Sequence, residues 1–204
     1  MNDLDKALGD IGSIRRQVAR STEFRGYGPA TLATTGVFAL SAAGAQSLWV
    51  SDPAHHIARY LGIWAATAFL SAVFTGVQMY MRSRRIHSGM SDEMIHMAVE
   101  QFLPSLVAGL LLTLVLVYAS PGAVWILPGI WQIVFGLGIF SSSRFLPRPI
   151  LLAGVWYLLS GLVCMGFGDA RALSPWAMGV PFGVGQFLVA AILLAAAQRS
   201  SDET

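Results

Sequence analysis

Beyond residue 28 the chain alternates between long apolar runs and short polar stretches. Six runs, at about 29–50, 59–81, 95–118, 123–140, 150–167 and 178–197, reach the roughly 20 residues that a helix needs to cross a ~30 Å hydrocarbon core. In lipid every backbone N–H and C=O needs an internal partner, so a run of this kind is expected to be helical. The links between runs are short, which pairs the helices in sequence order. The pattern therefore predicts an all-α fold: a polytopic membrane helix bundle of six transmembrane helices arranged as three hairpins.

The first 27 residues follow a different pattern. Leu4, Ala7, Ile11, Ile14 and Val18 recur at spacings of 3, 4, 3 and 4, which is one stripe on an amphipathic helix. The stripe predicts a partner-docking helix or one lying on the inner leaflet, where Arg15, Arg16 and Arg20 meet anionic headgroups. Gly9 and Gly12 make it a weak independent coiled coil. No early apolar core of a cleavable signal peptide is present in this stretch, so the first run is expected to be retained. The organisation expected is a cytoplasmic amphipathic segment over 1–27, a transmembrane domain over 28–197 and a cytoplasmic tail over 198–204.

Composition sharpens this picture. Apolar residues make up 55% of the chain and charged residues only 12%, about half the usual charged share of a soluble domain. Lys6, Arg15, Arg16, Arg20, Arg25, Arg82, Arg84, Arg85, Arg144, Arg148 and Arg199 fall on one side of the alternating loops, and only Arg59 and Arg171 on the other. Because basic residues resist translocation, both termini are expected in the cytoplasm, with the protein as a multi-pass component of a cell inner membrane. The net charge of +2 comes from these flanking residues and forms no aromatic-interleaved patch, so nucleic acid is not an expected partner. Cys164 is the single cysteine, which excludes an intramolecular disulfide.

Polar residues inside the runs are few. Gln46, Gln78, Gln132 and Gln186 must each find a partner, as glue between helices or as lining of a polar cavity. Pro128 precedes Gln132 by four residues and Pro181 precedes Gln186 by five, and a proline inside a helix frees a carbonyl one turn earlier. Gln132, Gln186, Pro128, Pro181 and Trp131 thus mark a candidate ligand pocket between the fourth and sixth helices. Gly62-Ile63-Trp64 and Gly129-Ile130-Trp131 match in the second and fourth runs, a trace of parallel repetition. Thr35, Ala39 and Ala43 form one small-residue stripe and Gly154 and Gly161 another. Such stripes permit close helix contact, within the bundle or to a second copy in a homo-oligomer.

Ionisable chemistry is sparse. Glu100, beside Gln101, is the one acidic residue placed inside a run, and a carboxylate at mid-helix costs about 2.5–3.5 kcal/mol on insertion scales. Ser91 is the expected N-cap of that helix, with Asp92 and Glu93 at its positive end. Glu100 then sits about two turns in, as a proton or ion relay with Gln101 or as an interfacial partner of Arg82, Arg84 or Arg85. Glu93, His96 and Glu100 share a face at i, i+3 and i+7. That set is short of a metal site unless a symmetric copy doubles it. No second helix offers a histidine to pair with His96 across a haem, and no cofactor is predicted. Hydrolase, metalloprotease and nucleotide-binding signatures are absent, which points to a non-enzymatic protein. The expected function is a regulatory, sensing or assembly subunit that engages a cytoplasmic or membrane partner; the alternative is a small-solute transporter or channel.

Overall fold

The computed structural model describes the backbone of residues 28–85, 89–143 and 146–202, and the side chains of these residues outside 82–99 and 199–202. The expected amphipathic stripe of Leu4, Ile11, Ile14 and Val18 lies outside the described residues. Among the described residues 90% are helical and none is in a strand. Six long helices follow one another: α1 (Pro29–Trp49), α2 (Ile57–Arg85), α3 (Gly89–Ala119), α4 (Leu127–Ser142), α5 (Leu151–Gly166) and α6 (Pro175–Asp202). Three 3₁₀ segments, Pro121–Ile126, Arg148–Ile150 and Ala170–Leu173, lead into α4, α5 and α6.

Among the described residues five segments are long and apolar enough to cross a membrane: Ile57–Met81, Glu100–Ala119, Pro121–Ser142, Arg148–Gly166 and Pro175–Gln198. The chain is an integral, multi-pass membrane protein. The helix over the first predicted run, α1, is 21 residues long but is not one of these five. Its composition explains this, because Thr31, Thr35 and Gln46 turn inward with Ala39, Ala42 and Ala43. A helix clasped by protein on several sides can hold polar residues that a lipid-facing helix cannot.

Packing departs from simple sequence order. The most extensive contacts join α1 to α6 and α4 to α5; α3 adds to α4, α2 to α1, and α5 to α6, while α2 and α3 scarcely touch. The helices therefore follow one another as α2, α1, α6, α5, α4, α3 around an incompletely closed ring. Only 11% of the most apolar stretch of α2 and 6% of that of α3 is buried, against 33% for the α4 and α5 spans. The two helices are an outer layer, and Phe69 and Leu70 of α2 and Leu103, Leu106, Leu110, Leu111 and Leu114 of α3 face away from the core.

Small residues set the close crossings. A Cβ at Gly161 would lie 2.7 Å from the Gly129 carbonyl oxygen, and one at Gly136 would lie 3.0 Å from that of Gly154. On the other side Ala43 packs on Gly179, and Thr35 bonds Gln186. Both small-residue stripes thus act inside the bundle. Between them, Phe135 of α4 contacts Phe102 of α3, Tyr157 of α5 and Phe182 of α6 edge-on, at centroid distances of 5.2, 4.8 and 5.3 Å. This aromatic knot ties four helices together near the bundle centre.

Candidate functional site: a polar layer around the start of α6

Proline leaves a defect that another helix repairs. Pro181 lies inside α6, so it offers no N–H to the carbonyl four residues earlier, that of Ala177. Gln132 of α4 is fully buried and its Nε2 donates to that carbonyl at 2.9 Å. The same nitrogen lies 3.9 Å from Met178 Sδ. Trp156 of α5 donates its indole N–H to the Pro181 carbonyl at 2.9 Å. The stretch of α6 around Pro181 is therefore held from both α4 and α5.

The approach to α6 is stitched in the same way. Gln46 of α1, with no exposed surface, donates to the Leu173 carbonyl at 2.8 Å and accepts from the Trp64 indole of α2 at 2.7 Å. Cys164 Sγ of α5 lies 3.7 Å from the Ala172 carbonyl. Three side chains from three helices thus converge on the carbonyls of Ala172, Leu173 and Ala177, which a 3₁₀ turn and a proline leave outside regular helical bonding. Tyr60 and Met178 belong to the same buried cluster, and Tyr60 stacks on Trp131 at 6.3 Å, whose indole donates to Thr113 of α3 at 2.8 Å. Two atoms in this layer are buried with no hydrogen-bond partner: the Tyr60 hydroxyl and Gln132 Oε1.

The sequence-derived candidates distribute as follows. Gln132, Trp131 and Pro181 belong to this layer. Gln186 does not share Gln132's contacts; it accepts from Thr35 Oγ1 at 3.2 Å and so links α6 to α1. Pro128 is in the first turn of α4 and not mid-helix, because Pro121–Ile126 winds as a separate 3₁₀ segment. A missing N–H costs nothing in a first turn, so Pro128 opens no carbonyl inside α4. Glu100 is exposed at the start of the apolar stretch of α3, while Gln101 beside it is half-buried with its Oε1 unpartnered. The helix is described from Gly89 onward, and the side chain of Ser91, its expected N-cap, lies outside the described residues. The side chains of Glu93 and His96 lie outside the described residues; among the described residues no group of three His, Cys, Asp or Glu converges.

The matching Gly-Ile-Trp tripeptides have matching roles. Trp64 of α2 donates to Gln46 on α1, and Trp131 of α4 donates to Thr113 on α3, each reaching back 18 residues. Tyr60, Thr113 and Cys164 gave no signal as site residues, since a lone polar group in an apolar run has no periodic neighbour to mark it.

Outside the bundle, two short side-chain contacts brace the connections. His55 Nδ1 lies 2.7 Å from Asp52 Oδ2, and the hydrogen bond holds the Asp52 carboxyl below its ordinary range. Arg171 Nε donates to both oxygens of Asp169, at 3.0 and 2.9 Å, which lowers that carboxyl's pKa and raises the guanidinium's. Both pairs are exposed. Comparison with known protein families, with characterised proteins and with solved structures finds no match to this chain.

Proposed function

We propose that the protein is a non-enzymatic membrane subunit that binds a partner within the bilayer, as an assembly or regulatory component, with all six helices crossing and both termini in the cytoplasm. The orientation follows from the eleven basic residues on one side of the loops against two on the other, and it suits a cell inner membrane. The observation that carries the functional reading is the outer layer. Leu106, Leu110 and Leu114 recur at i, i+4 and i+8 on α3, with Phe69, Val73 and Val77 at the same spacing on α2, and all six are exposed. Inside, most polar side chains with mapped contacts are spent on holding helices together, as binding modules require and as a solute path does not. The N-terminal stripe of Leu4, Ile11, Ile14 and Val18 supplies a second contact from the cytoplasm.

A photoreactive residue at position 106 or 110, activated in native membranes, tests this. A discrete protein adduct at stoichiometric yield supports the assembly reading, and trimming residues 1–25 is expected to reduce it. Lipid adducts alone would refute it.

A second reading, transport of a small neutral solute, draws on one observation. The Tyr60 hydroxyl and Gln132 Oε1 are buried without partners and both border Met178. On this reading Gln132→Leu abolishes uptake into proteoliposomes; on the assembly reading it leaves partner binding intact.

A further inference from the structure

A groove of about 590 Å³ opens between α1 and α2, walled by Phe38, Ala42, Ala45, Gly62, Ala66 and Leu70, with Arg59 at one end. Small residues create it. A Cβ built at Gly62 would meet nothing within 4 Å, so the gap is wider than a close helix crossing such as that at Gly161. From Arg59 to Leu70 the groove follows eleven helical rises of α2, roughly 16 Å of helix axis. That is about half of a ~30 Å hydrocarbon core, the depth of one leaflet.

The charge lies where a lipid headgroup would. Arg59 is exposed and, among the described residues, forms no ion pair. The carboxylate in the preceding loop, Asp52, is already engaged by His55 at 2.7 Å. Arg59 also stands in the first turn of α2, where Tyr60 and Arg59 send their N–H groups to the His56 carbonyl and the positive end of a 29-residue helix adds to the attraction for an anion. A mostly apolar groove one leaflet deep with an unpaired guanidinium at its mouth is complementary to an anionic amphiphile.

We propose that this groove binds an anionic phospholipid, one acyl chain lying between α1 and α2 and the headgroup phosphate against Arg59. The proposal does not depend on the assembly reading, since neither Arg59 nor Gly62 belongs to the exposed stripes of α2 and α3.

The full-length protein, delipidated and then exchanged with vesicles of equal phosphatidylglycerol and phosphatidylcholine, is examined by native mass spectrometry for retained lipid. Phosphatidylglycerol is expected to be retained over phosphatidylcholine by about fivefold, the ratio one arginine contributes at an anionic surface. Arg59→Gln removes that preference, and Arg59→Lys keeps most of it. Gly62→Phe fills the groove from a position with open space around it and abolishes retention of either lipid. Equal retention of the two lipids by the unaltered protein would overturn the proposal. So would a preference that survives Arg59→Gln, or lipid retention that survives Gly62→Phe in a protein that still unfolds at the unaltered midpoint.

Discussion

The repair of Pro181 by Gln132 can be measured as a coupling. Gln132→Leu removes the amide that bonds the Ala177 carbonyl at 2.9 Å and leaves that oxygen unpaired beside a fully buried position. It also removes Gln132 Oε1, itself buried without a partner, so the single substitution is expected to cost less than the lost bond alone. Pro181→Ala restores an N–H four residues after Ala177 and lets α6 bond its own carbonyl. In that background the Gln132 amide has nothing left to repair, and Gln132→Leu becomes neutral or stabilising. The two substitutions should therefore be non-additive by about 0.6–1.7 kcal/mol, the range of interhelical hydrogen bonds in membrane bundles. Reversible unfolding in mixed micelles, followed by tryptophan fluorescence across the double-mutant cycle, reads this directly. Additivity to within about 0.3–0.5 kcal/mol, the agreement expected of independent sites, would refute the linkage.

Other outcomes follow from the same packing. Gly161→Ala puts a Cβ 2.7 Å from the Gly129 carbonyl oxygen, overpacking that costs about 1–3 kcal/mol, while Gly62→Ala meets nothing within 4 Å and should leave the unfolding midpoint unchanged or higher. Equal midpoints for the two variants would contradict the close α4–α5 crossing. Gln46→Leu strips the partner from the Trp64 indole and the Leu173 carbonyl together; each buried orphan costs about 1–3 kcal/mol, so calorimetry should show a larger loss than for Gln186→Leu. Asp52 and Asp169 have carboxyl pKa values below the ordinary 3.8 in the folded chain, so their contribution is present above about pH 4 and lost as pH falls through the folded values. The double substitution to Asn should flatten the acid limb of the stability profile by lowering stability slightly at neutral pH and leaving it unchanged at the acid end, a small effect because both pairs are exposed.

Much of the architecture is legible without coordinates, for a physical reason: lipid admits so few backbone solutions that apolar run length alone locates the helices. The observed helices fall on the expected runs and overshoot them mainly at α2, α3 and α6, where polar residues continue the helix. The glutamines were legible for the same reason, since an amide in an apolar run must find a partner. Whether that partner is a ligand or a carbonyl is a matter of three-dimensional neighbours. Pro181 and Gln132 are 49 positions apart, and nothing local to either shows that one supplies what the other removes. Pro128 misled because its effect depends on which turn of the helix it occupies, and that was decided by a 3₁₀ segment that hydropathy does not distinguish from the helix it precedes.

What the sequence by itself determined is the class of molecule: an all-helical chain in the membrane, with apolar runs sized to a bilayer. Tertiary structure alone decided which helices are central. The first run looked like any other crossing, yet its threonines and Gln46 face inward because α2 and α6 clasp it, whereas α2 and α3 keep most of their apolar surface outward. Hydropathy averages over all sides of a helix and cannot say which side meets lipid. Only the arrangement of neighbours assigns the sides, and with them the orphaned carbonyls, the close glycine crossings and the groove that ends at Arg59.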